Sequence, residues 1–294
     1  MGFNCSAVEN DSHADLRLFQ RVAYMLVFTV GLPLNISALW FFSRIQHWTD
    51  THVYMANLML ADVLLILFLP FRIFQTFCPI DPSALCTFLI CVHYSNMYVS
   101  IFTIMVISAH RLAVIRFPLL ARALQTRRKT MARVVCLFIW VFVIAICAGF
   151  SSNMFPKKLR ECYERKHEHL LDFPFLLVLE IVGYLLPVAI VTTCSGQAIC
   201  LLNKSTENQL QHAERKHVLE RKRVVAIITA NLIIFLVCFS PIHLAHLLKY
   251  LKSGKSVLFT DAFYEVSEWI ATTNCCLDAV GYYFLLKKVF KGKT

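Results

Sequence analysis

The sequence predicts an all-α membrane protein, a seven-transmembrane helix bundle with a short amphipathic C-terminal helix. Seven stretches are each apolar over about the 20 residues that a helix needs to cross a bilayer. Hydrophobic residues make up 58% of the chain and charged residues only 16%, against about 25% in soluble domains. Lys and Arg are concentrated in the connections on one side of these stretches, as the positive-inside rule requires of cytoplasmic loops.

Each apolar stretch is long enough to span the bilayer and contains few or no charged residues. In chain order the stretches are residues 22–43, 53–71, 82–109, 134–156, 173–203, 224–248 and 269–286. The acids and histidines inside them are Asp62, His93, Glu180, His243, His246 and Asp278. A backbone in lipid must satisfy its own hydrogen bonds, so we expect α-helices. A soluble fold would need helices with an outer polar face, and these stretches lack one.

The charge distribution predicts an extracellular N-terminus and a cytoplasmic C-terminus. We therefore expect residues 1–21 to form an extracellular tail, residues 22–286 the seven-helix domain and residues 287–294 a short cytoplasmic tail. Asn4 and Asn10 begin glycosylation sequons in the outer tail. The net charge of +11 follows from topology and from contact with anionic lipid, so it does not indicate a nucleic-acid partner.

Twelve cysteines are too scattered for a small disulfide framework, and most lie in apolar segments as small packing residues. Cys86 and Cys162 differ, because the predicted topology places both on the oxidising outer side. A disulfide between them pins the following outer loop across the mouth of the bundle. Cys5 and Cys78 are also predicted outside, and whether they pair is left open.

Local motifs indicate a bundle that changes shape. The segment Asn57–Asp62 places an acid within the second helix, and Phe235–Pro241 places a proline within the sixth. Pro187 is a second proline inside a predicted helix. Proline removes a backbone hydrogen bond and bends a helix, and it leaves carbonyl groups for neighbours or water to satisfy.

Together these motifs resemble those of the rhodopsin-like G-protein-coupled receptors over nearly the whole chain. The matching features are Gly31–Asn35, Asn57–Asp62, Cys86, His110–Leu112, Trp140, Pro187, Phe235–Pro241 and Asn274–Tyr282. Each is weak alone, but their joint occurrence at matching depths makes the resemblance specific. Within the family, Trp48–Asp50, Leu69–Arg72 and Asn274–Tyr283 are most similar to the orphan-type receptors linked to lysophosphatidylinositol and kynurenic acid. The ligands of that branch are small or lipidic anions.

The resemblance implies a plasma-membrane receptor that binds a small or lysophospholipid-like, anionic extracellular ligand and activates a heterotrimeric G protein. An enzyme is not expected, because no hydrolase elbow, phosphate-binding glycine loop or zinc-spaced His/Cys set occurs in the sequence. The alternatives are a non-signalling scavenger receptor of the same fold, suggested by His110 and the short tail, and a membrane transporter. Against the transporter, no inverted repeat is apparent.

Basic residues near the predicted outer helix ends favour an anionic headgroup as the guest. The predicted ligand-binding residues are Arg72, His93, Tyr94, Met97, His243, His246, Lys249 and Glu268. Related receptors carry a basic residue at the position matching Arg72. The histidines have the alternative role of hydrogen-bonded packing residues, and Lys249 that of a side chain snorkelling to water. Glu180, Glu265 and Glu268 are acids able to pair with these cations, so a zwitterionic ligand also stays open.

The resemblance further implies a mid-membrane sodium site, and no other cofactor is expected. Its predicted residues are Asp62, Asn96, Ser100, Asn274 and Asp278, whose oxygen atoms suit a hard cation. The alternative is a hydrogen-bonded polar network without a tightly held ion.

On the inner side, the residues implied in G-protein coupling and switching are His110, Arg111, Phe235, Phe239, Pro241 and Tyr282. Arg111 matches the arginine that meets the G protein. The sequence departs from the family pattern at His110, where most members have an acid, at Leu112 and at Ala279. Because histidine does not supply the acid's negative charge, we expect at best a hydrogen-bonded resting lock and raised basal signalling.

Overall fold

The computed structural model describes residues 14–154, 159–165, 173–207, 215–252 and 258–281. Long helices form a bundle, and one small hairpin lies between the fourth and fifth spans. The helices are α1 Ala14–Ser43, α2 Asp50–Gln75, α3 Ala84–Arg116, α4 Pro118–Ala123, α5 Gln125–Met154, α6 Phe173–Glu180, α7 Leu186–Glu207, α8 Arg215–Leu251, α9 Leu258–Thr272 and α10, residues 274–281. A π-helical segment, Ile181–Leu185, joins α6 to α7, and β1 Leu159–Glu161 pairs antiparallel with β2 Glu164–Arg165.

Six helical units within the described residues are long and apolar enough to cross a membrane: α1, α2, α3, α5, the α6–π–α7 unit and α8. The seventh apolar stretch is divided between α9 and α10 at Thr273. Large apolar side chains on the outside of the bundle, such as Leu137 and Phe138 on α5, are about two-thirds exposed, at 65% and 67%. Such a surface is stable only against lipid. The predicted class, a helical transmembrane bundle, is confirmed.

The helices extend beyond the apolar stretches that predicted them. Helix α1 begins at Ala14 rather than at Val22, so the end of the predicted tail is helical. Helix α9 begins at Leu258, well before Trp269. Hydropathy marks only the part of a helix that crosses hydrocarbon, whereas the backbone continues its hydrogen bonds into the polar ends. The predicted amphipathic helix at residues 285–290 lies outside the described residues.

Polar caps fix where α2 and α3 begin. The Thr49 side chain accepts a hydrogen bond from the backbone of His52, whose ring in turn accepts from the Thr49 backbone, a reciprocal capping box. Ser83 caps α3 by accepting from the backbone of Cys86 at 3.3 Å. These caps set Asp50 at one end of the bundle and Cys86 at the other. We call the end with Cys86 and the hairpin the outer end, and the opposite one the inner end.

Helix α3 lies at the centre of the bundle, in contact with α2, α5, α7 and α8. The π-helical segment approaches it closely at Gly183, where an added Cβ would lie 2.8 Å from the Tyr98 ring. Only glycine fits this contact. Pro187 lies two residues after the end of the segment and has no N–H to donate, and a π-helical turn accommodates that missing hydrogen bond.

Buried polar contacts join the spans at mid-membrane depth. Asn57 of α2 donates to Thr103 of α3 at 2.8 Å, and Trp140 of α5 donates to Asn57 at 2.8 Å. Between α3 and α8 the core is apolar, and Phe235 and Phe239 have no exposed surface. Interhelical hydrogen bonds and close packing, rather than hydrophobic collapse, hold helices together in lipid.

Candidate functional site

The hairpin covers the outer end because a disulfide fixes it there. Cys86 in the first turn of α3 is bonded to Cys162 in the hairpin turn, and both are fully buried. The Cys162 backbone also donates to the carbonyl of Ile80 at 3.0 Å. The predicted outer-loop disulfide is therefore confirmed. Cys78 is disulfide-bonded as well, but Cys5 lies outside the described residues, so their pairing stays a prediction.

Tyr163, next to the disulfide, closes the site from above. Its φ of 70° lies in the left-handed region that an aromatic residue rarely adopts, and such strain is typical of functional positions. The strained turn sets its ring 4.0 Å from the guanidinium carbon of Arg72, close enough for a cation–π contact. Burial raises the pKa of the Tyr163 phenol, which therefore stays neutral above the cation.

Arg72 lies beneath this ring as a buried cation between two acids of α9. Its Nη2 donates to Oε2 of Glu268 at 2.8 Å and to Oε2 of Glu265 at 3.4 Å. The side chains of Arg72 and Glu268 are only 6% and 5% exposed. A charge this well buried persists only when it is paired and hydrogen-bonded, which these two contacts achieve.

Glu268 of α9 contacts residues of three other helices, α1, α2 and α3. His93 of α3 approaches its Oε1 through Nε2 at 3.3 Å, and Tyr24 of α1 donates to its Oε2 at 3.4 Å. The structure thus brings together three predicted residues, Arg72, His93 and Glu268. Tyr24 was missed, because a tyrosine inside an apolar run gives no signal of its own in the sequence.

The other predicted residues of the outer end lie on the neighbouring wall. The hydroxyl groups of Tyr94 and Tyr264 are 2.7 Å apart, and Met97 is buried in the core below them. Lys249 contacts Asp261 at 3.4 Å and lies 4.6 Å from the Tyr264 ring centre. Its side chain is 42% exposed, so it is the more accessible of the two predicted cations.

Two further predicted residues, His243 and His246, face the carboxylate of Glu180. Oε1 of Glu180 lies 3.4 Å from Nδ1 of His243 and 3.9 Å from Nδ1 of His246. The His243 ring is stacked on Tyr184, with centroids 4.4 Å apart, and the Tyr184 hydroxyl donates to Ser240 at 2.6 Å. This cluster connects α6 and the π-helical segment to α8.

The sequence predicted basic residues at the outer end and left open whether nearby acids pair with them; in the described residues they do. Arg72 pairs with Glu268 and Glu265, and Lys249 pairs with Asp261. A cation taken out of water requires a counterion, so the protein itself supplies the acids. A ligand anion must therefore compete with carboxylates that are already in place.

At mid-membrane depth the predicted sodium-site residues lie on α2, α3 and α10. Asn96 donates to Oδ1 of the fully buried Asp62 at 3.1 Å, and Asn274 donates to Oδ2 of Asp278 at 2.8 Å. Within the described residues, the buried Ser100 Oγ and Asn274 Oδ1 have no hydrogen-bond partner. Together with the carboxylates, these oxygen atoms are suitable ligands for a cation.

At the inner end a second charge cluster joins three helices. Oδ2 of Asp50 lies 2.6 Å from Nε2 of His110 and accepts from Nε of Arg128 at 2.7 Å. His110 therefore contacts Asp50 rather than the neighbouring Arg111, which forms no ion pair with any described residue. Asp50 and Arg128 were missed, because an acid in the first turn of a helix and an arginine in a basic loop both have ordinary explanations.

Three further switch residues, Phe235, Phe239 and Pro241, lie along α8. The fully buried rings of Phe235 and Phe239 are in edge contact, with centroids 5.4 Å apart, and Pro241 follows inside the same helix. Tyr282 and the glycosylation residues Asn4 and Asn10 lie outside the described residues.

The fold and these motifs agree with comparison to known proteins. The model of the family described as 7 transmembrane receptor (rhodopsin family) matches residues 34–282. The chain belongs to this family. It is 31% identical to G-protein coupled receptor 55 of Mus musculus, over 97% of this chain and 90% of that protein. Identity is 31% to G-protein coupled receptor 35 of Homo sapiens, over 90% and 84%, and 32% to lysophosphatidic acid receptor 5 of Mus musculus, over 96% and 78%.

These matches confirm the predicted resemblance, including the branch of the family in which it was placed. The chain is a multi-pass membrane receptor of the G-protein-coupled class. Its family is one of signalling receptors rather than enzymes.

Proposed function

We propose that this receptor binds a lysophospholipid-like anion at its outer end and activates a heterotrimeric G protein at its inner end. The proposed location is the plasma membrane, with the N-terminus outside. Relatives named as lysophosphatidic acid receptors support the ligand class. The observation that carries it is the buried guanidinium of Arg72, which lies beneath Tyr163 and presents donors suited to a phosphate.

Binding at Arg72 is proposed to exchange one anion for another. Glu265 makes the longer contact with Arg72, 3.4 Å against 2.8 Å for Glu268, and its side chain is the more exposed, 17% against 5%. An incoming phosphate therefore displaces Glu265, while Glu268 stays held by His93. The exchange never leaves Arg72 without a counterion, which would be costly at this depth. Exposed Lys249 attracts the anion before it enters.

We also propose that Asp62 holds a sodium ion, with Ser100 Oγ and Asn274 Oδ1 as further ligands. Support comes from the chemistry of these groups: Asp62 is a fully buried carboxylate on α2, and Ser100 Oγ on α3 and Asn274 Oδ1 on α10 are buried oxygen atoms without hydrogen-bond partners within the described residues. The ion would supply the positive charge that a carboxylate requires at mid-membrane depth. Since this site joins α2, α3 and α10, a sodium ion that prefers one arrangement of these helices is coupled to ligand binding.

At the inner end, Arg111 is the proposed contact for the G protein. It is partly buried at the end of α3 and forms no ion pair with the described residues, so its donors are available to a partner. Pro241 bends α8 above it and, with Phe235 and Phe239, forms the proposed hinge. Ligand and G protein then influence each other through their different affinities for two bundle shapes.

The test is loading of a GTP analogue onto G protein in membranes containing the receptor, with lysophosphatidylinositol and lysophosphatidic acid as probes. Arg72→Gln should lower potency at least about tenfold, because a charge-assisted contact contributes about 1.5–3 kcal/mol. Glu265→Gln should raise potency, because it removes the competing carboxylate. The matched control is Lys252→Gln, an exposed cation near the end of α8, which should leave potency unchanged.

Opposite effects on potency at Arg72 and Glu265 indicate that the ligand phosphate displaces Glu265 from Arg72. If the two residues have a purely structural role, both substitutions weaken the response. Equal losses at both positions would show that the headgroup does not reach Arg72. Binding of the probes without any GTP loading would instead favour the scavenger receptor.

A further inference from the structure

The cluster of Glu180, His243 and His246 has the composition of a transition-metal site. Their ligand atoms all lie within 4.8 Å of one another. Two imidazoles and one carboxylate are the protein ligands of many open zinc sites, in which a fourth position is left for water or another ligand. We propose that these three side chains bind Zn²⁺ at the outer end of the bundle.

The distances suit a small, four-coordinate ion. Zinc bonds of about 2.0–2.1 Å in a tetrahedron place ligand atoms about 3.3 Å apart. Glu180 Oε1 and His243 Nδ1 are 3.4 Å apart, and Glu180 Oε1 and His246 Nδ1 are 3.9 Å apart. All three ligand atoms lie within 4.8 Å of one another, so none has to close by more than about 1.5 Å to reach the tetrahedral spacing. Nitrogen and carboxylate ligands at this geometry favour zinc over the larger, oxygen-seeking calcium.

The two imidazole rings are shielded from water, as the ligands of a tightly held ion are. The side chains of His243 and His246 are 1% and 5% exposed, and one carboxylate oxygen faces both rings. Neutral imidazole is the form that coordinates a metal, and the carboxylate of Glu180 adds one negative charge to the site. Two neutral rings and a dication satisfy all three groups.

The surroundings hold the ligands in place. The Tyr184 ring stacks on His243 with an interplanar angle of 14°, and its hydroxyl is anchored on Ser240. Glu180 is the last residue of α6, directly before the π-helical turn, which changes the direction of the side chains that flank it. Support of this kind fixes ring orientation in metal sites. A bound ion links the fifth span to the sixth, so it stabilises the receptor against unfolding.

No zinc site was predicted from the sequence, since His243 and His246 are only three residues apart and the third ligand, Glu180, comes from a different helix. A search for His and Cys at zinc-binding spacing within one segment does not detect a site whose ligands come from two helices. The proposal is independent of the anionic ligand and of G-protein coupling. It concerns metal binding by the receptor alone.

The experiment uses the full-length receptor, purified without a polyhistidine tag and placed in lipid nanodiscs. Zinc is titrated against a chromophoric chelator, and Co²⁺ serves as a spectroscopic probe of tetrahedral coordination. We expect one tight equivalent in the parent receptor. It should weaken by more than about 100-fold in His243→Gln, His246→Gln and Glu180→Gln, since even supporting partners contribute about 10–100-fold. The matched control is His93→Gln, another buried outer-end histidine, which should keep the tight equivalent.

Thermal unfolding without metal checks that each variant is folded, and zinc should raise the unfolding temperature of the parent and of His93→Gln only. If His243→Gln does not fold, His246→Gln carries the same test. A parent receptor that shows no tight zinc equivalent and no tetrahedral Co²⁺ spectrum overturns the proposal. So does equal loss in His93→Gln, because the binding would then belong to other histidines.

Discussion

An acidic residue joins three or more helices at each end of the bundle, Glu268 at the outer end and Asp50 at the inner end. The clusters around these two acids differ in burial. At the outer end Glu268 of α9 contacts α1, α2 and α3, and its side chain is 5% exposed. At the inner end Asp50 of α2 contacts α3 and α5, and its side chain is 11% exposed, with partners at 19% and 21%. Ion pairs are thus shielded from water at the outer end and partly exposed to water at the inner end.

This difference sets how strongly each cluster resists change. A buried charge that loses its partner has no water to replace it, so the outer cluster must stay paired or exchange one anion for another. A partly exposed charge that loses its partner is rehydrated at small cost. The outer end is therefore suited to recognising an anion, and the inner end is suited to changing its contacts when a G protein binds.

Replacement of Glu268 by glutamine should give the largest effect. The substitution keeps the shape but removes the nearer and more buried of the two counterions of Arg72, and breaking a buried pair costs about 3–5 kcal/mol. We expect a large fall in the unfolding temperature of the purified receptor in detergent. The matched control, Glu265→Gln, removes a longer and more exposed contact with the same guanidinium and should have a much smaller effect. Equal losses in the two variants would show that the outer cluster does not depend on Glu268.

Removal of the outer disulfide should have the next largest effect. Cys162→Ser frees the hairpin that holds Tyr163 over Arg72, and loss of a native disulfide costs about 2–4 kcal/mol. We expect most surface receptor or ligand response to be lost, measured by antibody binding to intact cells and by GTP loading. Cys91→Ser is the control, because Cys91 lies on α3, the helix that carries Cys86, and is not disulfide-bonded. Normal expression and potency in Cys162→Ser would contradict a structural role for the bridge.

The helices and their order follow from the sequence because a lipid environment leaves few alternatives. A stretch without charges, such as residues 22–43, has to be a helix if it crosses the bilayer. Helix ends do not follow from the same argument. They depend on caps such as Thr49 and on turns that continue past the apolar region, as at Ala14. The π-helical segment before Pro187 also needed the structure, since proline alone predicts only a distortion.

For the site, the unusual residues and the acids able to pair with them were predictable, but which acid pairs with which cation was not. Arg72 and His93 are conspicuous because charge is rare in apolar helices. Their common partner Glu268 comes from a helix far away in the sequence, and the same holds for Glu180 with His243. Spacing within one helix therefore predicts which face a residue occupies, but only the packing of the bundle shows which charges are already neutralised.

The smallest expected effect concerns basal signalling at the inner end. His110→Asp places an acid beside Arg111, which lacks an ion pair within the described residues. The acid that most family members carry at this position holds that arginine in the resting state. We therefore expect lower basal GTP loading at equal surface expression, with the agonist response preserved. A partly exposed pair contributes about 0.2–1 kcal/mol, so the decrease should be no more than about fivefold.

The same substitution also removes the contact between His110 and Asp50, and a control must separate the two consequences. Asp50→Asn breaks that contact without giving Arg111 an acid, and Arg128 then loses its carboxylate at a site where water replaces it. If the new acid is what matters, Asp50→Asn should not lower basal loading. If both variants lower it equally, the inner cluster itself maintains the active shape. If neither does, the resting state is held elsewhere, and the polar residues around Asp62 are the first to be changed next.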